Sequence, residues 1–132
     1  MTGNQESEFI DHFILKSRRD RLRHELSDPK KRFRALDRFA HQTKKLIDPK
    51  RIRMQGSTLE AQPAFQAFVT SHDTSVLVCS CDPSIDGMVL ALSEGLNAAE
   101  YSMEAVLLLG GAFAIIFAEA EKGGREKYLL QL

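Results

Sequence analysis

The sequence predicts an α+β fold, in which an N-terminal antiparallel helical hairpin packs with a mostly antiparallel sheet of about four strands in the C-terminal half. Between residues 7 and 47, apolar residues recur every three to four positions, as expected of amphipathic helices. From residue 74 to 131 the chain changes to short apolar runs that are separated by turn residues. The 132 residues, 43% of them hydrophobic, suffice for one core, so we predict a single domain over 1–132.

Start and stop signals delimit the two helices of the hairpin. The first helix is predicted over 7–27, with Ser7 as its N-cap. Asp28 and Pro29 start the second helix, because the cap supplies an acceptor and proline lacks an N–H group that would have no partner. Asp48–Pro49 ends it, since a residue before proline avoids helical geometry. The predicted apolar stripe of the second helix consists of Phe33, Leu36, Ala40, Thr43 and Ile47.

The C-terminal half is predicted to alternate short helices with strands. A capping box at 57–60 precedes a helix through 63–71. Residues 74–81 are apolar and β-branched, which is typical of a strand that is covered on both faces. A further short helix is expected to begin at Ser93.

A central hairpin is predicted around Gly110–Gly111, which can adopt the positive backbone angles of a tight turn. Its strands, 105–109 and 112–118, would then place Leu108 opposite Phe113. The other face would carry Ala112 and Ala114, and such small residues suit a close neighbour, either a helix or a second copy of the chain. A homo-oligomer through this face is therefore one expectation.

A final hairpin is predicted with a three-residue loop at 123–125. This loop would place Glu121 opposite Lys127, whereas a two-residue loop would place two glutamates opposite each other.

Cysteine use and hydropathy predict a cytoplasmic protein without a membrane span. Cys79 and Cys81 are one residue apart, so a disulfide between them would be strained and both are expected to be reduced. The N-terminus has no basic start followed by a long apolar stretch, and so does not resemble a signal peptide. Residues 105–118 are uncharged, but a membrane span needs about 20 residues.

Charge is divided unequally along the chain. Residues 1–54 contain 15 Lys/Arg and 8 Asp/Glu, a net of +7, whereas residues 55–132 contain 3 and 10, a net of −7. Such asymmetry favours a charged partner, although the halves could also neutralise each other within one molecule.

Helical spacing sorts part of this positive charge onto the faces of the two helices. The candidate partner-binding residues are Lys16, Arg19, Arg23, Lys31, Arg34, Arg38 and Lys45. An acidic protein is favoured over nucleic acid as the partner, because no aromatic residue is predicted among these cations to stack on bases. Sequence-nonspecific nucleic-acid binding by the same face is the alternative, and a merely solvated face would need no partner.

The sequence contains no motif for catalysis, a cofactor or a metal ion. His72, Cys79 and Cys81 are conceivable zinc ligands, but such ligands must converge in space, and a Cys-x-Cys pair in an apolar strand more often serves packing, so we expect no metal and no cofactor. The chain is therefore expected to be a small non-catalytic intracellular interaction protein, of an inhibitor, adaptor or immunity type.

One remote alternative is a ribonuclease. An arginine and a histidine on one helix with four to six residues between them resemble the pair used by HEPN-type ribonucleases, and Arg19/His24 and Arg34/His41 have this spacing. Nine of the first 54 residues are arginine, so chance alone produces such pairs. The strand-rich second half also differs from an all-helical ribonuclease domain.

Overall fold

The computed structural model describes residues 2–72, 74–120 and 124–132 and confirms the α+β class. Its helices are α1 (Thr2–Phe13), α2 (Arg19–Ser27), α3 (Pro29–His41), α4 (Thr43–Leu46), α5 (Pro63–Ser71) and α6 (Leu92–Tyr101). Its strands are β1 (Ile52–Gly56), β2 (Ser75–Ser80), β3 (Val89–Ala91), β4 (Val106–Leu109), β5 (Phe113–Phe117) and β6 (Lys127–Gln131). The sheet thus has six strands rather than about four.

The strands form one antiparallel sheet in the order β1-β6-β5-β4-β2-β3. β1 and β3 are its edges, and they are the two strands that the sequence did not clearly indicate. Each is short or irregular: β3 has three residues, and the β1–β6 register shifts between Ile52 and Met54. β3 is too short to show a pattern. In β1, the alternation of apolar and polar residues over Ile52-Arg53-Met54-Gln55 was a strand signal that the sequence prediction missed.

Helices cover both faces of the sheet. On one face, α1 to α4 bury a core that includes Phe9, Phe13 and Phe39 against β2, β4, β5 and β6. On the other face, Phe65 of α5 and Leu92 of α6 belong to a second core. Because both faces are covered, β2, β4 and β5 can be almost continuously apolar, as predicted for 74–81.

The first predicted helix is broken. α1 begins at Thr2, so Ser7 lies inside it rather than capping it, and a 3-10 turn at Lys16–Arg18 separates α1 from α2. At the break, Ile14 forms a β-bridge with Ile47, and the Leu15 amide donates to the Leu46 carbonyl at 2.8 Å. α2 and α3 then form the antiparallel hairpin, and the second helix is itself divided at Gln42 between α3 and α4.

Aspartate caps explain where two turns begin. The Asp28 carboxylate accepts from the Lys30 amide at 2.9 Å at the start of α3, as predicted. Asp48 accepts from the Lys50 amide at 3.0 Å, which starts a 3-10 turn rather than only ending a helix. The capping box predicted at 57–60 is wrong, because the 3-10 turn there begins after Thr58 with no side-chain cap.

The central hairpin forms, but its turn lies one residue later than predicted. Leu109 is opposite Ala114 and Leu108 is opposite Ile115, so the loop consists of Gly111 and Ala112. Gly111 has a φ of +87°, as a type II′ turn requires at its first central position. The predicted pairing of Leu108 with Phe113 is therefore wrong, although a two-residue shift leaves each side chain on its predicted face.

The face that carries Ala114 is not free for a second copy of the chain. Ala114 is completely buried in the core formed with α1 to α4, and Ala112 lies in the exposed turn. Of the two neighbours considered, a helix layer rather than a second copy covers this face. The proposed homo-oligomer surface at Ala112 and Ala114 is therefore wrong.

The final connection is wider than a three-residue hairpin loop. Lys127 lies opposite Phe117 rather than Glu121, and Glu121 to Gly123 lie outside the described residues. Arg125 fills the connection: its guanidinium donates to the Ala118 carbonyl at 2.6 Å and to the Ala99 carbonyl at 2.7 Å. A long-range contact of this kind leaves no local sequence pattern.

Candidate functional site

Three of the seven basic residues that were predicted to bind a partner make contacts within the chain instead. Arg38 donates to both carboxylate oxygens of Glu25, one of them at 3.0 Å. This bond holds the pKa of the Glu25 carboxyl below its ordinary value. Arg23 pairs with Asp11, and Arg19 donates to the Ile14 carbonyl at 2.9 Å, where it supports the break between α1 and α2.

The remaining four predicted residues are exposed. They are Lys16, Lys31, Arg34 and Lys45. Within the described part of the chain, no carboxylate oxygen lies within 4.0 Å of any of these four side-chain cations. Lys31 and Arg34 lie in the first half of α3, whereas Lys45 lies beyond its end in α4. The four residues therefore belong to two surfaces rather than one face.

The first surface, which we call the α3 patch, consists of Lys30, Lys31, Phe33 and Arg34. The sequence placed Phe33 in the buried stripe, but its side chain is 62% exposed. Leu36 of the predicted stripe is buried, but Ala35 and Phe39 face the core beside it, so α3 is rotated slightly relative to the predicted stripe. An aromatic ring does therefore lie among the basic residues, contrary to the expectation from the sequence.

A shallow groove of about 190 Å³ borders the α3 patch. Pro29, Leu36 and Pro83 contribute apolar atoms to it, and Phe33 forms part of its wall. The groove therefore extends the apolar surface of Phe33 toward the loop that follows β2.

The second surface, which we call the basic seam, comprises residues 14–19 and 42–53. The Ile14–Ile47 bridge joins these two segments, and the Asp48 amide donates to the Phe13 carbonyl at 2.7 Å. Together the segments contain eight Lys/Arg and one acidic residue, Asp48, whose carboxylate caps a turn. The exposed cations of the seam are Lys16, Arg18, Lys44, Lys45, Lys50 and Arg53.

The sequence also did not indicate the role of Arg32. It lies between the two carboxylates of Glu6 and Asp86, with nitrogen–oxygen distances of 3.0 Å and 2.9 Å. The hydrogen bond to Asp86 is the main reason that the pKa of Arg32 is raised. Because Asp86 follows β2, this ion pair links the helical hairpin to the sheet half, and Arg32 is not available to a partner.

Three potential metal ligands meet at the other end of α3. The Nε2 atom of His41 lies 3.6 Å from an Asp37 oxygen and 3.8 Å from a Glu119 oxygen. The Asp37–His41 contact follows from their i, i+4 spacing and was expected. The contribution of Glu119, from the connection after β5, was not expected because it is distant in sequence.

The two thiols lack the properties of a nucleophile. Burial raises the pKa of Cys81 to about 11 and raises that of Cys79 still further. At neutral pH both therefore stay protonated, and the thiolate is the reactive form. Their packing in the core with Leu77 and Leu107 is sufficient to explain their positions.

The Arg/His pairs of the ribonuclease alternative have other contacts. Arg19 is held by the Ile14 carbonyl, and His41 faces Asp37 and Glu119. Among the described residues, Arg19 makes no hydrogen bond to His24, and Arg34 makes none to His41.

Among the described residues, no helix is both long enough and apolar enough to cross a membrane. Comparison with known proteins found no matching family model, no matching curated protein and no matching solved structure.

Proposed function

We propose that the protein is a small non-catalytic interaction protein that binds an acidic partner protein through the α3 patch. The observation that carries this proposal is the exposed ring of Phe33 among Lys30, Lys31 and Arg34. Protein interfaces typically combine an apolar anchor with a polar rim, and aromatic residues and arginine contribute most of their affinity. An inhibitor, an adaptor or an immunity-type protein would each use such a surface.

In this proposal, the basic seam accelerates binding rather than forming the contact. Its cations surround no exposed aromatic residue, so they offer charge without an apolar anchor. A concentration of one sign of charge raises the association rate of an oppositely charged protein, and salt screens this effect. Charge reversal in the seam should therefore slow association, whereas changes in the α3 patch should weaken the complex itself.

Affinity capture with a matched pair of variants tests this proposal. The tagged chain is incubated with native lysate after nuclease treatment, and retained proteins are identified and their net charges compared. We expect an acidic protein that Phe33→Ser and the Lys31→Glu/Arg34→Glu double variant fail to retain. Tyr101→Ser is the control, because Tyr101 is 82% exposed but lies in α6, on the opposite side of the sheet.

The proposal fails if Phe33→Ser retains the same acidic protein as the wild type, or if retention disappears equally in Tyr101→Ser. It also fails if nuclease treatment removes everything that the wild type retains. Thermal melting of each variant shows whether it is folded, and exposed substitutions of this kind usually change stability by less than about 0.5 kcal/mol.

The exposed position of Phe33 also supports a second candidate, the binding of single-stranded nucleic acid. An aromatic ring among cations can stack on a base while the cations contact phosphates, and such stacking is worth about 1–3 kcal/mol per base. A labelled oligonucleotide titrated at several salt concentrations distinguishes the two functions. Phosphate contacts predict a linear fall of log affinity with log salt concentration, and Phe33→Ser should weaken binding at every salt concentration.

A further inference from the structure

The carboxylates of Asp37 and Glu119 and the imidazole of His41 form a compact donor set outside the α3 patch. All three donor atoms lie within 4.8 Å of one another. Asp37 and His41 project from the same side of α3, one turn apart, because residues four apart on a helix are neighbours. Glu119 approaches from the connection that follows β5, so the set joins the helical layer to the sheet half.

The charge of the donor set favours a dication. Two carboxylates and a neutral imidazole carry a charge of −2. Elsewhere in the helical layer, carboxylates such as Glu6, Asp11 and Glu25 pair with arginines. Among the described residues, the nitrogen group within 4.0 Å of the Asp37 and Glu119 carboxylates is the imidazole of His41 rather than any Lys or Arg.

The position of His41 in α3 adds to this negative potential. His41 is the last residue of a helix of 13 residues, and the carbonyl groups at a helix C-terminus favour a cation. The lysines of α4 act in the opposite direction, but their ammonium groups can turn toward solvent because both residues are exposed.

We propose that Asp37, His41 and Glu119 bind a Zn²⁺ ion. One imidazole nitrogen and two carboxylate oxygens belong to the ligand types of zinc, whereas Mg²⁺ and Ca²⁺ prefer oxygen ligands alone. Ligands at about 2.1 Å in a tetrahedron lie about 3.4 Å apart, so the donors need to move by about 1 Å or less. All three side chains are at least one-third exposed to solvent, so they are free to make this adjustment.

Three protein ligands leave a fourth zinc position, which water fills in the isolated chain. The ion also connects α3 to the β5–β6 connection. Zn²⁺ that binds this arrangement more tightly than it binds the unfolded chain raises the melting temperature.

Isothermal titration of the full chain with zinc chloride, in a buffer that does not chelate metals, tests the site. We expect one Zn²⁺ per chain and at least tenfold weaker binding by His41→Ala, Asp37→Asn and Glu119→Gln. His24→Ala is the matched control, since it removes an exposed histidine of α2 and should leave binding unchanged. Magnesium chloride should give no binding that depends on His41.

Each other outcome overturns the site. Zinc binding that survives His41→Ala places the ion elsewhere, and equal losses in His24→Ala indicate nonspecific chelation. Absence of binding at 100-fold excess zinc over protein would show that the three side chains are surface neighbours without a metal ion. The melting temperature of each variant without zinc serves as the folding check, and its rise with zinc should disappear in His41→Ala. This test is independent of whether the α3 patch binds a partner.

Discussion

Replacing Arg32 by methionine should destabilise the protein by about 2–3 kcal/mol. The substitution keeps much of the aliphatic chain but removes both nitrogen–oxygen contacts to Asp86, at 2.9 and 3.0 Å, and both contacts to Glu6, at 3.0 and 3.1 Å. Breaking a fully buried ion pair costs about 3–5 kcal/mol. The three side chains remain 20–24% exposed, so solvent compensates part of that loss.

Urea unfolding measures this effect. With an m-value of about 1.5–2 kcal/mol/M, the midpoint should fall by about 1–2 M without a change in m. Arg34→Met is the matched control, because Arg34 is exposed on the same helix and should change stability by less than about 0.5 kcal/mol. Arg32→Lys should recover only part of the loss, since one ammonium cannot reproduce a planar fork between two carboxylates. Equal midpoints for Arg32→Met and Arg34→Met would refute the reasoning.

Two further changes test packing and pH dependence. Gly95→Ala should destabilise the protein by about 1–2 kcal/mol although alanine favours helices, because the new Cβ would lie 2.9 Å from a Val76 methyl. The control is Asn97→Ala, at an exposed position of the same helix, which should be neutral or stabilising in the same urea assay. Glu25→Gln should lower stability at pH 7 but not at acid pH. The pKa of Glu25 is lower in the folded than in the unfolded protein, so its bond to Arg38 stabilises the fold fully above the unfolded pKa. This stabilisation is lost as the pH falls through the folded pKa. A stability difference between wild type and Glu25→Gln that does not change with pH would contradict this.

Local chemistry accounts for the parts of the fold that the sequence predicted. Asp28 and Pro29 start α3 because an N-cap acceptor and a residue without a free N–H satisfy the helix end whatever surrounds it. The apolar run 74–81 became β2 because a strand that is buried on both faces needs no alternation. Long-range contacts decided the rest. The break after α1 depends on pairing with Ile47, and the register of β6 depends on a connection built around Arg125.

The candidate surface was predicted less well than the fold, and Phe33 shows the reason. On α3, apolar residues lie on both edges of the predicted stripe. A small rotation of the helix about its axis therefore buries the residues at one edge and exposes those at the other. Here Ala35 and Phe39 are buried and Phe33 is exposed. Similarly, Arg38 was assigned to the exposed face, although its partner Glu25 is 13 residues away on the neighbouring helix. The periodicity of the sequence predicts which side of the helix is apolar, but tertiary packing determines which residues at the border of that side are buried.

The ion pairs show how the opposite charges of the two halves are arranged. Arg21, Arg23 and Arg38 pair with acids of their own half of the chain, namely Asp11, Asp20 and Glu25. Among the described residues, the contacts between a basic side chain and a carboxylate that cross between the halves are Arg32–Asp86 and His41–Glu119. One fixes the helical hairpin to the sheet, and the other is the proposed zinc site.

The net charge of +7 on residues 1–54 is therefore only slightly compensated by the −7 of residues 55–132. The uncompensated cations of α3 and the basic seam lie at the surface, where they repel one another and add nothing to the core. A fold that needed them only for solubility could spread them evenly, and it would have no reason to expose Phe33 beside Lys30 and Arg34. For this reason we propose the α3 patch, rather than the full set of basic residues, as the partner surface.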